Sequence, residues 1–324
     1  MNSDLIKLMA RYLIKETGFF SSLFVRFSNA GIVFSEILNQ FFRCARIPYA
    51  FKLTTVGIET NNTCNLRCLH CATNREMKRE KGYMEFDTFA RIIDFNPEIK
   101  RVYLTNWGEP LLHPKIIEMV QYANIRRKQT AITTNGTTLD LFLSRELLNS
   151  GLDIIKFSVD GDRETFQNVR GFSYETVEAN ILQFIKLRNK MKKKTWVEIS
   201  MLISDETIPE IGSFLKKWRE HADFVNLQPK FFSIKRGTYS LCRDLWRILV
   251  ILWTGEVVPC CVDFDGELVI GDARKENLQK LFKSQAMKDF RKKHIKNELP
   301  GLCKNCSNYY SGYHISRKNI PLES

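Results

Sequence analysis

Three thiols stand within one short stretch of the chain, Cys64, Cys68 and Cys71, spaced Cys-x-x-x-Cys-x-x-Cys. Three thiolates can hold three irons of a 4Fe-4S cube and leave the fourth iron without a protein ligand, open to a small molecule. The residues around them, Asn61, Asn62, Thr63, Asn65, Arg67 and His70, make a polar loop rather than the apolar stripe of a core helix. Zinc suits the trio poorly, because no fourth ligand lies close by in the sequence. A second set lies far downstream: Cys242, the pair Cys260 and Cys261, and Cys303-Lys304-Asn305-Cys306. Four of these thiols can complete either a second cube or a structural zinc site, and spacing alone leaves both open. Cys44 has no partner in sequence and is expected to be a buried thiol.

The elements that must position these groups begin at residue 53. Short apolar, β-branched runs at 54–59, 102–105, 130–134, 154–159, 197–202 and 224–227 read as buried strands. Helical patterns fall between them at 86–94, 115–126, 139–149, 174–190 and 208–221, several opening after Asp, Ser or Thr. Repeated β-α order implies parallel strands with right-handed crossovers, hence a doubly wound sheet or a full or partial barrel. Functional loops in either architecture leave the C-terminal ends of the strands, and the first three cysteines directly follow the first strand. Beyond residue 235 the pattern changes to a hairpin around Thr254-Gly255 (246–253 and 257–261), a short strand near 268–270, and two short helices at 276–284 and 286–294. The expected division is a helical extension at 1–52, a core at 53–235 and a small cysteine-bearing domain at 236–324.

With 324 residues, 44% hydrophobic and 26% charged, the chain reads as ordinary globular protein. Nine cysteines without a signal-peptide pattern at the N-terminus point to a reducing cytoplasm, where clustered thiols bind metal more often than they form bridges. The net charge of +13 sits largely in runs at 186–194 and 291–296, which read as solvated helix faces. Neither is interleaved with the aromatics of a single-strand stacking platform, so no specific nucleic-acid binding is expected. Residues 1–52 read as two or three amphipathic helices. Arg26 and Glu36 break the apolar stretch too often for a bilayer span, leaving packing on the chain's own domain or peripheral membrane contact.

The cysteine trio and its surroundings resemble the radical S-adenosylmethionine (SAM) superfamily, over roughly residues 53–235. Gly108-Glu109-Pro110 is similar to that family's Gly-Gly-Glu-Pro segment, with Trp107 in place of the first glycine. The resemblance implies a partial (β/α)6 TIM-like barrel. It implies a SAM-binding 4Fe-4S cluster on Cys64, Cys68 and Cys71, and contacts to SAM from Gly108, Glu109, Pro110, Asn135, Ser158, Asp160 and Arg170. Ser158 and Asp160 are expected at the ribose and Arg170 at the SAM carboxylate, with His70 packing near adenine. The downstream cysteines resemble the start of the SPASM pattern in its shortened, twitch form. That implies one auxiliary 4Fe-4S cluster on Cys242, Cys260, Cys303 and Cys306, Cys260 being preferred to Cys261 by its spacing after Gly255.

What the resemblance implies about activity is reductive cleavage of SAM to a 5'-deoxyadenosyl radical, which takes hydrogen from a substrate carbon. A flavodoxin- or ferredoxin-like protein would supply the electron. The auxiliary cluster would transfer electrons, and Cys261 would be a hydrogen donor. Aminocyclitol dehydrogenases have a similar cysteine arrangement, so the first expectation is oxidation or epimerisation of a sugar, cyclitol or related metabolite. Peptide modification is the alternative, although residues 1–52 do not resemble the winged-helix module common among peptide maturases. A non-catalytic iron-sulfur electron carrier is a further alternative, but it would have no use for a SAM pocket.

Overall fold

The structure, a computed structural model, describes residues 30–229, 241–304 and 306. Six strands lie side by side in chain order, every neighbouring pair parallel: β1 (Thr55–Ile58), β2 (Arg101–Tyr103), β3 (Gln129–Thr134), β4 (Ile154–Ser158), β5 (Trp196–Ile203) and β6 (Phe224–Pro229). Between them run α2 (Phe86–Phe95), α3 (Ile116–Ile125), α4 (Leu141–Asn149), α5 (Arg163–Arg170), α6 (Tyr174–Lys190) and α7 (Ile211–Arg219), after an initial α1 (Ala30–Cys44). Sequential parallel order with a helix in each crossover is the partial barrel expected from the sequence.

Alternation along the strands explains which side faces which layer. Val56, Ile58, Val102, Ile132, Ile155, Phe157, Val197 and Ile199 are buried in one core with Phe89, Met119, Leu147, Ile181, Phe184 and Trp218 from the helices. The alternate positions Thr105, Thr133, Ser158 and Ser200 are polar and belong to the other face. Capping fixes several helix starts: Asp140 accepts from the Leu143 N–H at α4, and Ser173 from Thr176 at α6.

The C-terminal hairpin is continuous with this sheet. β7 (Ile248–Ile251) pairs in parallel with the free side of β1, and β8 (Glu256–Val258) and β9 (Gly271–Asp272) follow antiparallel, giving the order β6-β5-β4-β3-β2-β1-β7-β8-β9. α8 (Leu278–Phe282) and α9 (Gln285–Ile295) close the described chain apart from a final 3-10 turn at Gly301–Cys303. The strand expected at 268–270 lies at Gly271–Asp272 instead, and the first run of the hairpin opens with a 3-10 turn, Asp244–Trp246, before β7 begins.

Three sequence expectations are corrected. Cys44 is exposed at the end of α1. In the run 291–296, Arg291 and His294 are buried: the Arg291 guanidinium donates to the carbonyls of Leu245 and Phe282 and lies 4.7 Å from the Phe282 ring centroid. Arg188, in the other basic run, is buried as well and pairs with Asp223. Of the helices expected in 1–52, α1 is described and packs on the domain, Asn39 Nδ2 donating to the Lys52 carbonyl and Arg43 to that of Leu241. The part preceding residue 30 lies outside the described residues. No helix among the described residues is long and apolar enough to cross a membrane.

Candidate active site

The loops leaving β1 to β6 at their C-terminal ends enclose a cavity of about 220 Å³. Cys64, Cys68 and Cys71 line it together with His70, Gly108, Glu109, Asn135, Ser158, Asp160 and Arg170. The fold therefore gathers onto one surface residues drawn from 64 to 170. Pro110 stands just behind, buried at the start of the 3-10 turn Pro110–Leu112. A larger hollow of about 520 Å³ opens on the outer side of the barrel among α5, α6 and α7, lined by groups such as Arg163, Tyr174 and Lys217 and by no thiol.

The cysteine loop is held from several directions. The Leu69 N–H donates to the Val169 carbonyl at the end of α5, and Asn74 Nδ2 reaches the carbonyls of Cys64 and Leu66. Asn135 Nδ2 bonds Asn65 Oδ1 and lies 3.9 Å from the Cys64 sulfur. Gly108, with φ of +106°, lets the loop after β2 pass against the segment before Cys64; a Cβ there would sit 2.5 Å from the Asn61 carbonyl oxygen. The Glu109 N–H then bonds the Thr63 carbonyl, and Asn61 Nδ2 bonds the Glu109 carbonyl.

Glu109 and Asp160 are more engaged than the sequence suggested. The buried Glu109 carboxylate accepts from the Leu111 N–H, the Thr134 hydroxyl and the Asn135 N–H, tying the β2 loop to the end of β3. Asp160 accepts from the Leu202 N–H with one oxygen and from Arg170 Nε and Nη2 with the other, at 2.8 and 2.7 Å. Asp160 thus anchors Arg170 at the cavity wall, and this pairing works against the cost of burying the guanidinium. His70 Nε2 meets Glu206 Oε2 at 3.1 Å. Burial pushes the Cys64 thiol up to about 11 and raises Cys68 as well. Neutral thiols gain nothing from clustering in such a place, whereas a polycationic iron centre turns them into thiolates and satisfies them.

The second thiol set also converges. Cys242, Cys260, Cys303 and Cys306 line one hollow with the apolar side chains of Leu245, Val262, Phe290 and Leu302. Burial raises Cys242 and Cys260 strongly and pushes Cys303 up to about 12. The donor set again suits a metal centre far better than free thiols. Cys261 is not among the described residues lining either hollow. It packs against Val250, Leu252 and Val258, so nothing in the geometry brings its sulfur to the cavity as a hydrogen donor.

The two sites are joined through the interior. Glu59, fully buried after β1, accepts from Arg79 Nη2 at 2.9 and 3.0 Å, from Asn106 and from the Trp253 N–H in the hairpin turn. Arg79 Nε donates to the Phe264 carbonyl, and Asp265 accepts from the N–H of Lys78. Trp107 Nε1 donates to the Cys261 carbonyl at 2.6 Å.

The model of the radical SAM superfamily matches residues 58–217, and that of the SPASM iron-sulfur cluster-binding domain matches residues 242–307. The chain belongs to the radical SAM superfamily. It is a radical SAM enzyme with a C-terminal SPASM domain, and its cofactors are SAM, a SAM-binding 4Fe-4S cluster and an auxiliary iron-sulfur cluster. It is 29% identical over 251 residues to the tungsten-containing aldehyde ferredoxin oxidoreductase cofactor-modifying protein of Pyrococcus furiosus, an alignment covering 63% of this chain and 69% of that one. Against the Fe-coproporphyrin III synthase of Methanosarcina barkeri, the alignment spans only 27% of the relative. Among solved structures, BtrN in complex with AdoMet and 2-DOIA aligns with a TM-score of 0.54 and 18% identity, over 79% of this radical SAM chain and 93% of that one. The anSMEcpe structure with bound AdoMet and Cp18Cys peptide aligns with a TM-score of 0.59 and 18% identity, over 78% and 85%. At such identities the structural likeness establishes the shared fold.

Several cavity residues of this radical SAM enzyme were missed in the sequence: Thr73, Thr105, Asn106, Thr133, Ser200, Leu202 and Gln228. Ser200 and Gln228 carried a usable signal, each standing two positions after another polar residue, Glu198 and Asn226, and so on the same face of its strand. Thr73 lies in a loop whose path no local pattern predicts.

Proposed function

We propose that this enzyme oxidises a small, hydroxyl-rich substrate by removing hydrogen from a carbinol carbon, with Cys64, Cys68 and Cys71 holding the SAM-binding cluster and Cys242, Cys260, Cys303 and Cys306 the auxiliary one. Bound, these groups supply hydrogen-atom removal by a 5'-deoxyadenosyl radical and acceptance of the second electron. A flavodoxin- or ferredoxin-type donor fits the need for a low-potential reductant.

The observation that supports this substrate class is a polar layer inside the barrel, next to the cavity. Lys156, Glu198 and Asn226 each precede a cavity residue by two positions on their strand, namely Ser158, Ser200 and Gln228, and so share its face, while Tyr103 ends β2 two positions before the cavity residue Thr105. Lys156 Nζ lies 3.2 Å from a Glu198 carboxylate oxygen and 5.6 Å from the Tyr103 ring centroid. Glu198 also accepts from Asn226 Nδ2 and from the Ser200 hydroxyl. Paired charges and amide groups present donors and acceptors for hydroxyls and would be costly to cover with an apolar side chain. Asp160 holds Arg170 ready for a carboxylate, and the buried hydrogen-bonded loops exclude water.

The test is anaerobic reconstitution with dithionite and SAM, with 5'-deoxyadenosine measured over a panel of cyclitols, sugars, nucleotides and peptides. A polyhydroxylated small molecule should stimulate its formation and be recovered two electrons oxidised. K156M and E198Q should lose that stimulation, by about tenfold or more for lost charge-assisted hydrogen bonds, and keep the slow uncoupled cleavage. Stimulation confined to peptides would replace this reading with peptide modification.

A further inference from the structure

Arg291, on α9, is a buried cation with no anion of its own. The residue is 0% exposed, and its Nε and Nη2 donate to the Leu245 and Phe282 carbonyls at 2.8 and 3.0 Å. Nη1 is buried with no hydrogen-bond partner. The ring centroids of Phe282 and Trp246 lie 4.7 and 5.8 Å from the guanidinium carbon, but rings and carbonyls carry no net charge to balance it. Among the described residues no carboxylate bonds or pairs with Arg291, and burial alone pushes its pKa down to about 10.

The guanidinium stands just behind the wall of the second thiol set. Leu245, whose carbonyl it bonds, lines that hollow, as do Phe290 and His294, its neighbours on α9. Asp244, the carboxylate lining the same hollow, accepts instead from Arg247 at 2.8 and 3.2 Å. An iron-sulfur cube on four thiolates is a net anion and becomes more negative on reduction, so the group that fits these thiols supplies the charge that would balance the guanidinium. The surrounding Leu245, Val262, Phe290 and Leu302 are apolar, and the attraction is little screened there. We propose that Arg291 is the built-in counter-charge of the auxiliary cluster and holds its potential up, easing acceptance of an electron. The proposal rests on the assignment of Cys242, Cys260, Cys303 and Cys306 as ligands of that cluster.

The experiment uses the full chain with Cys64, Cys68 and Cys71 replaced by Ala, so that the auxiliary cluster is the one spectroscopic centre, and titrates its paramagnetic signal against potential. In this background R291M, which fills similar space without charge, is expected to shift the midpoint to more negative potential at unchanged iron content. R291K keeps the charge and is expected to fall between R291M and the parent. An R291M midpoint equal to the parent's, or an R291K midpoint as negative as that of R291M, overturns the counter-charge. Should R291M lose iron, R291Q, which keeps an amide donor but no charge, is compared with R291K in its place; a more negative potential in R291Q supports the proposal, and equal potentials overturn it. Iron lost from both neutral variants and kept by R291K also supports it, whereas iron lost from R291K as well overturns it. If the parent holds zinc, or if C260S and C303S leave iron and signal untouched, the ligand assignment itself falls, an outcome separate from any result at Arg291.

Discussion

Glu206 carries a small, readable piece of the site's electrostatics. The Ser204 hydroxyl, its own backbone N–H and the His70 ring together hold its carboxyl at about 2, against an ordinary 4.5. The folded state thus favours the ionised form, so the stabilisation is complete above 4.5 and disappears as pH falls toward 2. E206Q should accordingly remove part of the acid sensitivity in that interval while changing stability near neutrality by less than about 1 kcal/mol, because the side chain is 40% exposed. Urea midpoints measured as a function of pH check this. At the same scale, Glu109 shows why residue type was easier to read than residue role. The Gly-Glu-Pro segment was legible, but whether its carboxylate meets a ligand or three backbone and hydroxyl donors depends on Thr134 and Asn135, some twenty-five residues away.

Among the elements, α5 illustrates both what the sequence hid and what the fold needs. Its eight residues, RETFQNVR, bury only Phe166 and Val169, too thin a stripe for a periodicity reading, and it was not expected. α6, longer and better patterned, lies over the residues expected of it, 174–190. Yet α5 delivers Arg170 to the cavity and the Val169 carbonyl to Leu69 in the cysteine loop. Gly171 ends it with φ of +69° and open space where a Cβ would go, so G171A should cost about 1 kcal/mol through backbone conformation alone and leave iron content intact. G108A combines positive φ with backbone atoms inside contact distance, and it should lose the iron of the first centre as well as more stability than G171A. Thermal unfolding and iron analysis of the two variants, side by side, separate conformational strain from loop displacement.

At the scale of the whole molecule, the cysteine sets and the β-α order were legible because spacing and periodicity are local. The fusion of the hairpin to the barrel was not, since parallel pairing of β7 with β1 joins segments nearly two hundred residues apart. With both centres loaded as cubes, the reconstituted chain should hold about eight irons, falling to about half when Cys303 and Cys306 are replaced by Ser. Zinc in the second hollow, found by elemental analysis, would contradict the assignment of those four thiols. Arg79, bridging Glu59 and the Phe264 carbonyl, makes it unsurprising if loss of one centre also lowers the melting temperature of the other's surroundings.

The register Thr55↔Ile248 also has a bearing on biosynthesis. As the polypeptide leaves the ribosome, the first barrel strand acquires β2 early, but its other flank stays unsatisfied until the downstream hairpin has been translated. Contacts spanning so much chain form slowly and leave an exposed edge in the interim. The iron-binding loop that follows this strand therefore matures late, and a nascent chain halted before residue 248 should be both metal-poor and prone to clump.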